Sequence, residues 1–113
     1  MANKMEIVRG TSNVFGITVT DAVGNKYFPE GDAVLVFGLK KSSRDEKCVL
    51  VKAITHRAND EYLLEFYPAD TVNLECGQYF YDVGIQVGKS VLFPVIEWSE
   101  FVIKPNAVKC GDV

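Results

Sequence analysis

The chain is short of several things, and each shortage removes a class of function. Among 113 residues there is one histidine and one tryptophan, and three cysteines stand at 48, 76 and 110. An odd cysteine count with no Cys-x-x-Cys pair argues against a disulfide framework or a zinc site. The three thiols, with no histidine beside them, are expected to be reduced in a protein made in a cytoplasm, and Cys48 and Cys76 to be small core or near-core residues. Basic residues do not outnumber acidic ones: 12 against 15 leave a net charge of −3. The basic residues do not cluster, so the electrostatic footprint of a nucleic-acid binder is missing. No apolar run approaches the ~18 residues of a membrane-spanning helix. The opening Met-Ala-Asn-Lys-Met-Glu holds no apolar stretch of the kind a signal peptide needs. Neither glycine-rich phosphate cradle, GxGxxG or GxxxxGK, occurs in the sequence.

The same scarcity bears on catalysis. His56 sits in a predicted turn with Thr55, Arg57 and Asn59, and no nucleophile or orienting acid adjoins it. It reads as a surface residue. Carboxylates mostly flank turns, where they bond to local backbone. Asp82 is the exception, placed inside a predicted strand and expected to face outward. No string of EF-hand type occurs for calcium. The expectation is therefore no catalytic residue, no metal and no cofactor.

What is present is alternation. Hydrophobic residues make up 48% of the chain, which is globular. Strands are expected over Met5–Val8, Val14–Thr20, Ala33–Lys41, Lys47–Thr55, Glu61–Tyr67, Gln78–Val87, Val91–Ile96 and Glu100–Lys104, with Lys26–Phe28 a short return. Turn residues punctuate them every eight to twelve positions. In Glu61–Tyr67, Tyr62, Leu64 and Phe66 point one way. Pro68 ends that strand, and Asp70 is placed to cap a helical turn near 70–75. No longer amphipathic helix is visible. The pattern is that of one all-β antiparallel sandwich of seven or eight strands, its core spanning about 5–104, with a closed small barrel as the alternative. Residues 105–113 read as a flexible polar tail.

The richest stretch is Asp70–Val87. Leu74 is placed to plug the end of the core, Gly77 permits a bend, and Tyr79, Tyr81, Val83, Ile85 and Val87 share a face of the strand that follows. Phe80 lies on the opposite face, where its ring is available for assembly. Trp98, in Glu97-Trp98-Ser99-Glu100, is expected between two strands as a partly exposed contact for a partner.

The run Leu74-Glu75-Cys76-Gly77-Gln78-Tyr79-Phe80-Tyr81 resembles the corner that opens strand F of immunoglobulin-like domains, where a tyrosine ties the corner to nearby backbone. The chain departs from the antibody pattern: Tyr81 stands at the second-cysteine position, no cysteine lies in Val14–Thr20, and no tryptophan lies in Ala33–Lys41. A closer resemblance is to the immunoglobulin-like N-terminal domain of phage and prophage baseplate-upper and tail proteins. It is carried by Arg9-Gly10, the alternating Phe15–Thr20, the turn Asp21-Ala22-Val23-Gly24, the strand Val34–Lys40 running into Lys41-Ser42, and Leu74 through Asp82. It spans about Met5 to Lys104. The resemblance implies a non-enzymatic virion component, made in a bacterial cytoplasm and acting through contacts with other tail or baseplate proteins or with itself. A bacterial surface adhesin or carbohydrate-binding sandwich is the alternative expectation.

Overall fold

A computed structural model describes residues 4–29, 31–42, 44, 47–88 and 90–106, with residues 90–92 described by backbone alone. The chain folds as an all-β sandwich. Eight strands are present among the described residues: β1 (Met5–Val8), β2 (Asn13–Ile17), β3 (Ala33–Lys40), β4 (Leu50–Ile54), β5 (Arg57–Ala58), β6 (Glu61–Phe66), β7 (Gly77–Val87) and β8 (Ser90–Lys104), with one short helix, α1 (Pro68–Thr71). One sheet has five strands in the order β1-β8-β7-β3-β4, and the other has three in the order β2-β6-β5. No helix among the described residues is long and apolar enough to cross a membrane.

Period-two patterning explains which side of each strand is covered. From the larger sheet, Leu35, Phe37 and Leu39 of β3 face inward and are buried, with Tyr79, Tyr81, Val83 and Ile85 of β7 and Phe101 and Ile103 of β8. The smaller sheet answers with Ile17, Tyr62, Leu64 and Phe66. Phe66 is the ring that crosses between the layers. Its centroid lies 5.4 Å from Phe37, edge to face, and 5.5 Å from Phe101. Phe37 in turn lies 5.5 Å from Tyr81, and Phe15 closes on Phe66 at 5.9 Å. These separations and tilts are the favoured ones for aromatic pairs.

Several expectations are corrected. The sheets are not wholly antiparallel, because β1 runs parallel to the end of β8, pairing Met5 with Phe101 and Val8 with Lys104. The chain leaves that sheet through a tight turn in which Gly10 has a φ of +74°, a region costly for a residue with a Cβ. The Gly10 N–H donates to Oγ1 of Thr71, which is fully buried, at 2.9 Å, so α1 fixes the crossing. The expected short return Lys26–Phe28 is reduced to a single bridge, Thr20 to Lys26. The expected turn His56–Asp60 holds the two-residue strand β5, paired with β6. The two expected strands at 91–96 and 100–104 are one continuous β8, which absorbs its irregularity as shifts of register against β7. Cys48 is exposed, not near the core, while Cys76 is half-buried and packs against it. Cys110 and the expected tail from residue 107 onward lie outside the described residues.

Helix α1 begins earlier than expected, with Pro68 at its first turn, where the missing N–H is no loss. Asp70 is inside the helix, and its carboxylate reaches back to accept the Tyr67 N–H at 2.7 Å. The same oxygen accepts from Lys52 Nζ at 2.7 Å, in an ion pair whose two side chains are each less than a fifth exposed. The Lys52 ammonium also lies over the Phe66 and Tyr67 rings, at 5.9 and 5.2 Å. Lys52 is on β4 of the larger sheet, so this contact ties the sandwich shut along one open side. At the far side of α1, Leu74 packs on the core, Gly77 turns the chain with a φ of +140°, and the Tyr79 hydroxyl donates to the Glu75 carbonyl at 2.7 Å.

That hydrogen bond gives a direct expectation. Tyr79→Phe removes it without opening a cavity, and should lower unfolding free energy by about 1 kcal/mol. Urea unfolding of the two proteins measures the difference, and an unchanged midpoint would contradict a corner held by this hydroxyl.

Candidate interaction surface

The residues singled out in the sequence separate into two groups. Leu74, Gly77, Tyr79 and Tyr81 belong to the corner and the inner face. Tyr81 is fully buried, and its register partner on β8 is Ser99. Ser99 Oγ donates to the Glu97 carbonyl at 2.7 Å. Burial pushes the Tyr81 phenol up to about 12, against the lowering effect of hydrogen bonding with the Ser99 side chain. Burial, then the Glu75 carboxylate, also raises Tyr79.

Phe80 and Trp98 form the second group, on the outer face of the five-stranded sheet. They are diagonal neighbours on β7 and β8, stacked face to face with centroids 5.1 Å apart and planes inclined by 12°. Trp98 is 42% exposed. It lies inside β8, not between strands as expected, at the shift of register between the Tyr81–Ser99 and Val83–Ile96 pairs.

Beside the stack runs a groove of about 340 Å³. Its floor follows β3 and β7, where Val36 pairs with Gly84 and Gly38 with Asp82. One wall is Pro94, Ile96 and Trp98 of β8, and the other is Val51 of β4 with Cys48. The floor is low because two of its residues lack side chains. A Cβ on Gly38 would stand 3.1 Å from Cys48 Sγ and 3.6 Å from Asp82 Oδ1, closer than the sulfur allows without moving. Val51 is 60% exposed. Asp82 points outward, as expected for its position in β7, and lines the groove with Glu97.

Sequence reasoning reached Phe80, Trp98 and Asp82, but not the groove. Its usable signal was a glycine in the interior of each of two apolar strands, Gly38 and Gly84, which marks close approach or a gap on a sheet. That these two strands are neighbours is a fact of pairing register, which no local pattern carries.

The remaining candidates are spread elsewhere. His56 Nδ1 lies 2.6 Å from Glu65 Oε1 on an exposed part of the smaller sheet. Asp21 accepts the N–H groups of Val23 and Asn25, an ordinary aspartate turn. A second cleft of about 430 Å³ opens where Thr18–Ala22 meet Ile85 and Phe93. Among the described residues, no group of three or more histidine, cysteine, aspartate or glutamate side chains is placed to hold a metal ion. Compared with known families, with curated proteins and with solved structures, the chain matches none.

The raised Tyr81 makes a pH expectation. The folded chain keeps a phenol proton up to about 12, whereas the unfolded chain releases it near 10. Between those values the unfolded state binds fewer protons, so stability falls as pH rises. The contribution is whole below about pH 10. Tyr79 adds to the fall with the same sign. In urea midpoints taken at stepped alkaline pH, Tyr81→Phe should lose stability less steeply than wild type; parallel slopes would contradict the assignment.

Proposed function

We propose that this chain is a non-enzymatic assembly module that works by packing a neighbouring protein, or a second copy of itself, against the outer face of its five-stranded sheet. The observation that carries the proposal is the groove beside Trp98. Apolar side chains usually turn away from solvent on the outer face of a sandwich. Here a stacked Trp98–Phe80 pair, Val51, Ile96 and Pro94 border a depression on it. Contiguous apolar surface of this kind marks contact sites on soluble proteins, and a large aromatic at the centre of a contact supplies most of its energy.

The wider setting proposed is a phage or prophage tail or baseplate, with the virion as location and other tail proteins as partners. This rests on the resemblance of Arg9-Gly10, Phe15–Thr20, Asp21–Gly24 and Leu74–Asp82 to the immunoglobulin-like modules of such proteins. The strand order supports the immunoglobulin-like part of that reading. The first strand runs parallel to the last along one edge, and the Tyr79 hydroxyl bonds the backbone four residues upstream, as a tyrosine corner does. An adhesin or carbohydrate-binding sandwich is the second reading. It draws on the same stacked rings, which could serve as a platform for a sugar.

Co-expression with the products of neighbouring genes, together with solution mass over a wide range of concentration, tests the proposal. A complex or a self-association is expected. Trp98→Ser should weaken it about thirtyfold or more, the effect of losing a central aromatic, while leaving the unfolding midpoint within about 1 kcal/mol, as for other surface changes. A monomer at high concentration that co-purifies with no neighbour, or a complex indifferent to Trp98→Ser, would count against it. Glycan binding lost in the same variant would favour the second reading.

A further inference from the structure

The charge of the groove says more than its shape. Two carboxylates, Asp82 and Glu97, line it, and no lysine, arginine or histidine does. Among the described residues neither carboxylate makes an ion pair. Glu100, opposite Phe80, extends the same sign one step along the face. The cation nearest by register is Lys40, also opposite Phe80. Like the two acids, it is in no ion pair among the described residues. Elsewhere on the described surface the pattern is mixed: Glu6 meets Lys4 and Lys104, and Asp60 meets Lys26, while Asp32 and Glu61 are in no ion pair among the described residues. An indole that is 42% exposed, two carboxylates outside any ion pair and a glycine floor are therefore gathered in one depression.

These groups are complementary to a planar cation. A guanidinium can stack on an exposed indole and also present its N–H fork to a carboxylate. A phosphate or another anion would be repelled. The floor runs along β3 and β7, between walls contributed by the strands on either side, so the walls stand three strand spacings apart, about 14 Å at the backbone. Leaning side chains reduce that to the width of a single extended chain. We propose that the groove takes an extended protein segment carrying an arginine, its guanidinium over Trp98 and between Asp82 and Glu97, its backbone along Gly38 and Gly84. This rests on the outer face being the docking surface, and it names the chemistry of the partner.

Trp98 is the sole tryptophan, so its fluorescence reports on the groove without a label. The probes are three short synthetic peptides alternating threonine or valine with arginine, with glutamate or with glutamine. The arginine peptide is expected to shift Trp98 emission saturably and to bind about tenfold or more tighter than the other two. Its affinity should fall as salt is raised from about 50 to about 300 mM, a test that needs no variant. The double variant Asp82→Asn with Glu97→Gln should lose about tenfold, and Glu61→Gln, on the other sheet, should lose none. Equal binding of the three peptides, no emission shift with arginine, or full affinity in the double variant would each overturn the proposal. If the arginine peptide fails while Trp98→Ser still breaks a complex or self-association, the docking face stands and the arginine chemistry falls. If both fail, both fall.

Discussion

Everything else in this fold depends on one ring crossing between two sheets. Phe66 leaves the three-stranded layer and enters the space bounded by Phe37, Tyr81 and Phe101, which stand on three adjacent strands of the other layer. Phe37 and Tyr81 are tilted toward each other and Phe15 closes the cluster from its own side. In a sandwich joined by a disulfide, a covalent bond holds the layers in register. Here Tyr81 and its neighbours must do so by area and by ring geometry, which together make large aromatic pairs stronger than their burial alone. The perimeter is fixed by polar contacts that would be weak individually. Lys52 reaches Asp70 across one open side, Thr71 accepts the Gly10 N–H where the chain changes sheets, and the Tyr79 hydroxyl holds the corner after α1. Asp70 serves two of these purposes with one oxygen, ordering α1 through the Tyr67 N–H and anchoring Lys52.

A core committed to ring packing leaves the outer faces free to differ. The outer face of the five-stranded sheet carries glycine at the middle of two adjacent strands, positions that weaken a strand and give nothing to the core. Their consequence is spatial. Gly38 makes room for the Cys48 sulfur and Gly84 lowers the floor beside Ile96, so the Trp98–Phe80 stack borders a depression and not a flat sheet. Two acids, Asp82 and Glu97, line that depression, and neither is in an ion pair among the described residues.

How far the sequence reaches depends on the range of each cause. Tyr62, Leu64 and Phe66 announce β6 and its buried face, because alternation is a property of adjacent residues. The β7 face from Tyr79 to Ile85 is legible for the same reason. The C-terminal strand is not. The stretch Glu97–Ser99 reads as a break between two strands, yet β8 continues through it. Pro94 lies upstream of the stretch that pairs with β1, so its missing N–H has a free edge to face, and shifts of register absorb the rest. Cys48 reads as a small core residue by type, but its surroundings are set by Gly38 on a neighbouring strand. The groove lies beyond any local pattern, since it exists only once β3 and β7 are paired at Gly38 with Asp82 and at Val36 with Gly84.

The central claim is that the ring cluster couples the two sheets in the place of a covalent link. A double-mutant cycle on Phe37→Leu and Phe66→Leu, read by chemical denaturation, tests it most directly. The two residues touch edge to face from opposite layers, so the account predicts a coupling energy of about 1 kcal/mol. Losses that simply add would contradict it.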